Sequence, residues 1–220
     1  MDNPSKIIEG GVEYSLGEFD GNQVSYDFSK ILIYLDAKGK LLFGRDFKIY
    51  KKDKPLLLKL CSYFIRDSRS CEKHAIDLSK GILLSGPIGC GKTSIMKLLR
   101  HLVPRQRPYE MIPCRNVTFS FNHLGFKTIE DYGDSRFYCF DDLGVEPAGR
   151  FYGKDLNVMG EVLLSRYELY LDTRNKLKTH ATTNLNAEEL ENRYGSRVRS
   201  RMRELFNLIA FEEHSQDKRK

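Results

Sequence analysis

Residues Gly86-Pro87-Ile88-Gly89-Cys90-Gly91-Lys92-Thr93 place three glycines, a lysine and a hydroxyl in the pattern G-x-x-x-x-G-K-T. Those residue types at that spacing suit one chemistry, the holding of a phosphate chain. Gly86, Gly89 and Gly91 let the backbone bend around an anion with no Cβ in the way. The loop amides and the first turn of a following helix aim partial positive charge at the same point. Lys92 reaches β- and γ-phosphate oxygens, and the Thr93 hydroxyl can sit on Mg²⁺. The flanks fit this use. Ile82-Leu83-Leu84 is the short apolar run of a buried parallel strand, and Ser94 to Arg100 has a helical pattern.

A second constellation follows at Phe137-Tyr138-Cys139-Phe140-Asp141-Asp142. An apolar strand ends there in two carboxylates. Asp141 can hold the Mg²⁺ shell beside Thr93, and Asp142 can polarise an attacking water. A strand entering any polar loop looks the same. Downstream of a phosphate loop, with room for one strand between, the pair reads as the other half of the site. Lys178–Asn184 is a further strand with a polar end. Asn184 there either orients the water and reads a γ-phosphate or makes a local turn.

Two arginine pairs lie in Gly195-Ser196-Arg197-Val198-Arg199-Ser200-Arg201-Met202-Arg203. Ser196 can cap a helix beginning here, with Val198, Met202 and Leu205 as its apolar stripe. Arg197 and Arg201 share one face, and Arg199 and Arg203 a nearly opposite one. A cation offered to a neighbour's γ-phosphate stabilises transition-state charge; a solvated basic face has the same pattern. Phe119, Phe121, Phe126 and Tyr132 are either core residues or stacking faces for single-stranded bases. Arg166 falls on the apolar stripe of a helix over residues 156–171, either facing a subunit interface or a nucleotide, or snorkelling at the stripe's edge.

These groups need a scaffold of moderate size. The 220 residues suffice for one sizeable core and a small extension, and 30% charged with 40% hydrophobic residues is a globular balance. No run is long enough to span a membrane, and Met1–Lys6 lacks the apolar region of a signal peptide. Five scattered cysteines with no C-x-x-C pair point to reduced thiols in a cytoplasm rather than to disulfides or zinc. The net charge of +6 suits a nucleic-acid partner and an ordinary basic surface about equally.

Residues 1–50 carry no chemical motif and read as an extension or docking module. Within them, Ile31–Leu35 and Leu41–Phe43 around Gly39 predict strand, turn, strand, with a helix over 28–35 as the competing reading. Pro55 starts a helix running to about Asp67. Pro104 and Pro108 mark a linker, and Asn116–Phe121 alternates like a strand. Residues 51–214 form the core, and 215–220 a basic tail.

The order of phosphate loop, Asp141-Asp142-Leu143-Gly144, Thr182-Thr183-Asn184 and Ser200-Arg201-Met202 resembles the AAA+ ATPases of the DnaC/IstB group, which are helicase loaders and transposition helpers. The resemblance covers roughly residues 55–215. It implies an α/β P-loop fold of AAA+ type, with a parallel sheet, helices on both faces and no full C-terminal lid. It makes Gly86–Thr93 the Walker A loop, so that Gly86, Pro87, Ile88, Gly89, Cys90, Gly91, Lys92, Thr93 and the adjoining Ser94 contact ATP, with Thr93 and Asp141 on Mg²⁺. Asp141-Asp142 corresponds to Walker B, Asn184 to sensor 1 and Arg201 to an arginine finger, with Arg197 as its companion. Many AAA+ proteins have Asp-Glu at Walker B; the shorter Asp142 implies slow, partner-stimulated hydrolysis. Arg219 is either a sensor 2 arginine or part of the basic tail.

The expectation is therefore a homo-oligomeric ATPase with shared sites. It assembles on DNA, single-stranded DNA favoured, and delivers a replicative helicase; a helper on duplex DNA that engages a transposase is the alternative. Rivals from other classes are a small-molecule P-loop kinase, for which no arginine-rich lid insertion is visible, and a non-hydrolysing adaptor.

Overall fold

The computed structural model describes residues 4–102, 108–172 and 177–219. Pro104 of the expected linker and Lys220 of the tail lie outside them. The chain divides into two compact units. One takes the described residues of 1–75 and 94–107, the other those of 76–93 and 108–220.

The first unit opens with two antiparallel pairs, β1 (Lys6–Glu9) with β2 (Val12–Ser15) and β3 (Gly17–Phe19) with β4 (Val24–Tyr26). A single helix follows, α1 (Phe28–Phe43), where strand, turn, strand was expected. The side chain of Asp27 caps it by accepting from Ser29 N and Lys30 N. Its buried residues are Ile31, Tyr34, Leu35, Lys38 and Gly39, a 3.6-residue period that the continuous apolar run Ile31–Leu35 conceals. Gly39, read as a turn, is instead a helix position against which the Phe47 ring packs. Next come α2 (Lys54–Phe64), with Pro55 in its first turn as expected, and α3 (Ser68–Lys73).

The second unit is built on a five-stranded parallel sheet. Its strands are β5 (Gly81–Ser85), β6 (Glu110–Pro113), β7 (Tyr138–Asp141), β10 (His180–Thr183) and β11 (Phe206–Ala210), in the spatial order β11-β5-β10-β7-β6. A hairpin of β8 (Gly149–Phe151) and β9 (Lys154–Leu156) follows β7. The helices are α4 (Lys92–Leu99), which continues into the first unit, α5 (Cys114–Leu124), α6 (Lys127–Tyr132), α7 (Val158–Asp172) and α8 (Ala187–Leu205).

α5 corrects the strand expected over Asn116–Phe121. Val117, Phe119 and Phe121 alternate, but the residues actually buried are Cys114, Val117, Thr118 and Phe121, spaced as a helix face. Phe119 is left 43% exposed. α8 also differs. It starts nine residues before Ser196, at Ala187, behind a capping box between Asn186 and Glu189. Gly195 then breaks it with φ 81° and ψ 159°, and the arginine segment resumes beyond.

One continuous core includes Leu83, Phe140, Leu163, Val198 and Met202, each such side chain contributing about 1.5–3 kcal/mol by leaving water. Arg166 lies on the α7 stripe with no exposed surface, so it neither snorkels nor faces a partner. Its Nε donates to Thr179 Oγ1 at 2.9 Å, Nη1 donates to Asp134 O, and the guanidinium lies 5.2 Å from the Tyr138 ring centroid. Burial pulls its pKa down to about 10, still well above physiological pH. It is a buried cation tying α7 to the β10 approach and the loop before β7.

His180, at the start of β10, is buried with Nδ1 accepting from Ile82 N at 3.0 Å. Burial, with the charges of Lys178 and Arg166, lowers its pKa from 6.5 to about 3. The unfolded imidazole therefore binds its proton first as pH falls. The stability His180 contributes is complete above pH 6.5 and is lost progressively down to about 3. Urea unfolding between pH 7.5 and 4.5 should show stability falling with pH, and His180→Asn should flatten that dependence. An unchanged slope in the variant would place the acid sensitivity elsewhere.

Candidate functional site

The carboxyl ends of β5, β7 and β10 lie side by side, the place where open parallel sheets bind ligands. β5 ends at Ser85 and turns into Gly86, whose amide donates to Thr183 O at 3.2 Å. Gly89 and Gly91 have φ of 79° and 102°, in the left-handed region that lets the loop close on itself. Cys90 is fully buried beneath the loop, while Ile88 is 63% exposed at its tip. Lys92 and Thr93 open α4, and Ser94 continues it.

Lys92 is buried, and its Nζ donates to Gly86 O at 2.7 Å and Pro87 O at 2.9 Å. Burial lowers its pKa, opposed by Cys90, Asp142 and Asp141. Thr93 Oγ1 donates to Asp141 Oδ1 at 2.9 Å. Thr182 Oγ1 donates to the same Oδ1 at 2.6 Å and accepts from Asp142 N at 3.0 Å. Thr183 Oγ1 donates to Leu143 O at 2.7 Å. Two threonines of β10 thus fix the backbone that carries both carboxylates. Asp142 has φ 57° and an exposed side chain. Partial desolvation and the neighbouring Asp141 raise its pKa, against the pull of Lys92 and Arg219. Asn184, next in the chain after β10, is half-buried, and its Oδ1 is buried with no partner.

Of the expected residues, the fold brings together the loop Gly86–Thr93, Asp141, Asp142 and Asn184. It does not bring in Arg197 or Arg201. Arg201 lies 5.7 Å from the Tyr167 ring centroid, and its Nη1 donates to Arg197 O at 3.4 Å. Among the described residues neither arginine contacts the loop or the carboxylates. Three participants escaped sequence reasoning. Thr182 was visible only as part of a polar triplet. Lys218 of the tail donates its backbone N–H to Gly89 O at 3.0 Å and its Nζ to Cys90 O, while Asp217 packs its carboxylate against Gly89. Arg219 adds positive charge near Lys92 and Asp142.

The donor set fits a nucleotide with Mg²⁺. Among the described residues no three His, Cys, Asp or Glu side chains form a metal cluster. One carboxylate and one hydroxyl, from Asp141 and Thr93, are what Mg²⁺ takes when phosphates and water supply the rest. Asn184 Oδ1, buried without a partner just past the end of β10, can accept from a further donor.

Fold and site together define a P-loop protein with the AAA+ fold. The comparisons with known proteins agree at the level of fold. The DnaC helicase loader aligns with a TM-score of 0.53 at 19% identity, over 76% of this chain and 93% of that one. AMPPCP-bound DnaA from Aquifex aeolicus aligns with a TM-score of 0.50 at 15% identity, over 76% of this chain and 48% of its own. No family model and no curated sequence matches the chain. Among the described residues no helix is long and apolar enough to cross a membrane.

Lys92→Ala should weaken binding of a fluorescent ATP analogue by at least roughly tenfold, the loss of a charge-assisted bond of about 1.5–3 kcal/mol. Thr182→Val should lower unfolding stability by about 1–3 kcal/mol yet leave that affinity within a few-fold. Equal losses of affinity in the two variants would make Thr182 part of the binding surface.

Proposed function

We propose that this chain is an ATPase that binds ATP and Mg²⁺ at the Gly86–Thr93 loop. It hydrolyses ATP at a site completed by a second copy, and uses the nucleotide state to assemble on single-stranded DNA and deliver a replicative helicase. In this reading Gly86 to Thr93 and Ser94 hold the nucleotide, Thr93 and Asp141 the cation, and Asn184 the terminal phosphate. Bound ATP supplies the scissile phosphoanhydride, and Mg²⁺ neutralises charge on its oxygens. Asp142, with its raised pKa, accepts a proton from the attacking water. Lys92 turns from the loop carbonyls to the phosphates.

The observation that carries the proposal is the separation within one chain. Loop, carboxylates and Asn184 converge, while Arg197 and Arg201 sit on α8 without touching them. A cation at Arg201 that serves a neighbour's γ-phosphate makes activity depend on assembly. The AAA+ fold shared with a helicase loader supports the choice of partner, with residues 1–50 as the docking module.

The test is ATP hydrolysis per protomer against protein concentration, with and without single-stranded DNA. Wild-type specific activity should rise with concentration and respond to DNA. Arg201→Ala should lose roughly 10³-fold or more. Activity that is flat with concentration and indifferent to Arg201 would overturn the shared site and favour a self-contained kinase-like site. Stimulation by duplex DNA alone would favour the transposition-helper reading.

A further inference from the structure

Phe151 pairs with Lys154, so the β8–β9 hairpin is joined by two residues, Tyr152 and Gly153. Both are left-handed, with φ of 48° and 76°, the pattern of a type I′ turn, in which asparagine is the favoured first residue. Tyrosine is strained there, and its side chain is 92% exposed, so no core packing compensates. Its ring meets Phe151 edge-on, 4.5 Å between centroids.

The hairpin is firmly rooted on α5. Arg150 N donates to Asn122 Oδ1 at 2.7 Å, and the Phe151 ring lies 5.9 Å from that of Phe121. Arg115, Phe119 and Asn122 follow one another along the outer face of α5 at helical spacing. The stripe therefore runs from Arg115 to the hairpin. The Arg115 guanidinium lies 5.5 Å from the Phe119 ring centroid. Beyond the stripe, Phe126 is 64% exposed. On the hairpin, Arg150 is exposed and only loosely paired with Asp155 at 3.8 Å, and Lys154 is exposed too. No acidic residue occurs from Cys114 to Phe126.

Exposed rings interleaved with cations, presented on a rooted hairpin and one helix face, are the recognition chemistry of unpaired bases on a phosphate backbone. A duplex keeps its base faces stacked and offers such rings nothing. We propose that the outer face of α5 and the β8–β9 hairpin bind single-stranded nucleic acid. Tyr152 and Phe119 stack on bases, and Arg115, Arg150 and Lys154 hold phosphates. The inference deepens the DNA-dependent reading above and rests on it by naming the surface that reads the strand.

The test uses the full chain with ATP and a fluorescent oligothymidylate, followed by anisotropy. Tyr152→Asn should weaken binding roughly tenfold, as expected for losing one stacked base. The same change should raise the thermal unfolding temperature, because asparagine accepts the left-handed turn. Tyr152→Phe should bind within a few-fold of wild type, and Arg150→Gln should lower the salt slope by about one unit. Wild-type binding that Tyr152→Asn and Phe119→Ala leave intact would overturn this surface and leave the ATPase reading untouched. A wild-type chain that fails to bind the oligonucleotide with ATP would overturn both the surface and the DNA-dependent reading. Loss of self-association in Tyr152→Asn, measured by sedimentation without DNA, would make the face an interface between copies and overturn the proposal.

Discussion

Asp141 Oδ1 accepts from two hydroxyls, Thr93 at the head of α4 and Thr182 inside β10. That one oxygen joins the phosphate loop, the end of β7 and the neighbouring strand. A carboxylate at a half-buried position is expensive unless its lone pairs are used, and here one partner comes from β10, which the sheet holds in register with β7, and the other from the first turn of α4. The Asp142 amide returns to Thr182 Oγ1, so the chain turns at a fixed point and carries the second carboxylate outward. The loop, the cation ligands and the candidate base are therefore one rigid assembly rather than separate side chains.

The same economy recurs beyond the site. Glu146, buried just after the carboxylate turn, accepts from Gly144 N at 2.8 Å and from Tyr194 Oη at 2.7 Å. Arg193 Nη2 donates to its backbone oxygen. Tyr194 precedes the break at Gly195, so the segment bearing Arg197 and Arg201 is hung from the loop that bears Asp141 and Asp142. Burial and Glu146 push the Tyr194 hydroxyl well above its ordinary pKa, which keeps it a hydrogen-bond donor. Arg166 is a second buried polar group held by several partners, its Nε by Thr179, its Nη1 by Asp134 O and its guanidinium plane by the face of Tyr138, with Nη2 left unpaired. Removing one partner of such a pair costs more than the pair contributes, which makes both networks points of uniqueness in the fold.

The tail offers a contrast. Phe211 extends β11 by donating to Ser85 O at 2.8 Å, and Lys218 then lies on the phosphate loop through Gly89 O and Cys90 O. Both contacts are to carbonyl oxygens and take up none of the loop's amides. The loop is thus supported from behind by the tail and from below by the sheet.

What the sequence determined by itself is the chemistry that local backbone geometry dictates. A phosphate loop needs its glycines, lysine and threonine in consecutive positions, so Gly86 to Thr93 announces itself. β5 and β7 are apolar runs closed by polar ends, and α7 shows its period. What only the tertiary structure decided depends on partners distant in the chain. Thr182 became a support for Asp141 because two strands 41 positions apart lie in register. Arg166 became a core residue because Thr179, Asp134 and Tyr138 closed around it. Residues 28–43 and 114–124 became helices because burial selected a 3.6-residue spacing, over an unbroken apolar run in the first and a short alternation in the second. The turn at Tyr152 gave no signal, since a tyrosine in the left-handed region opposes local preference and is held there by the pairing of β8 with β9 and their seat on α5.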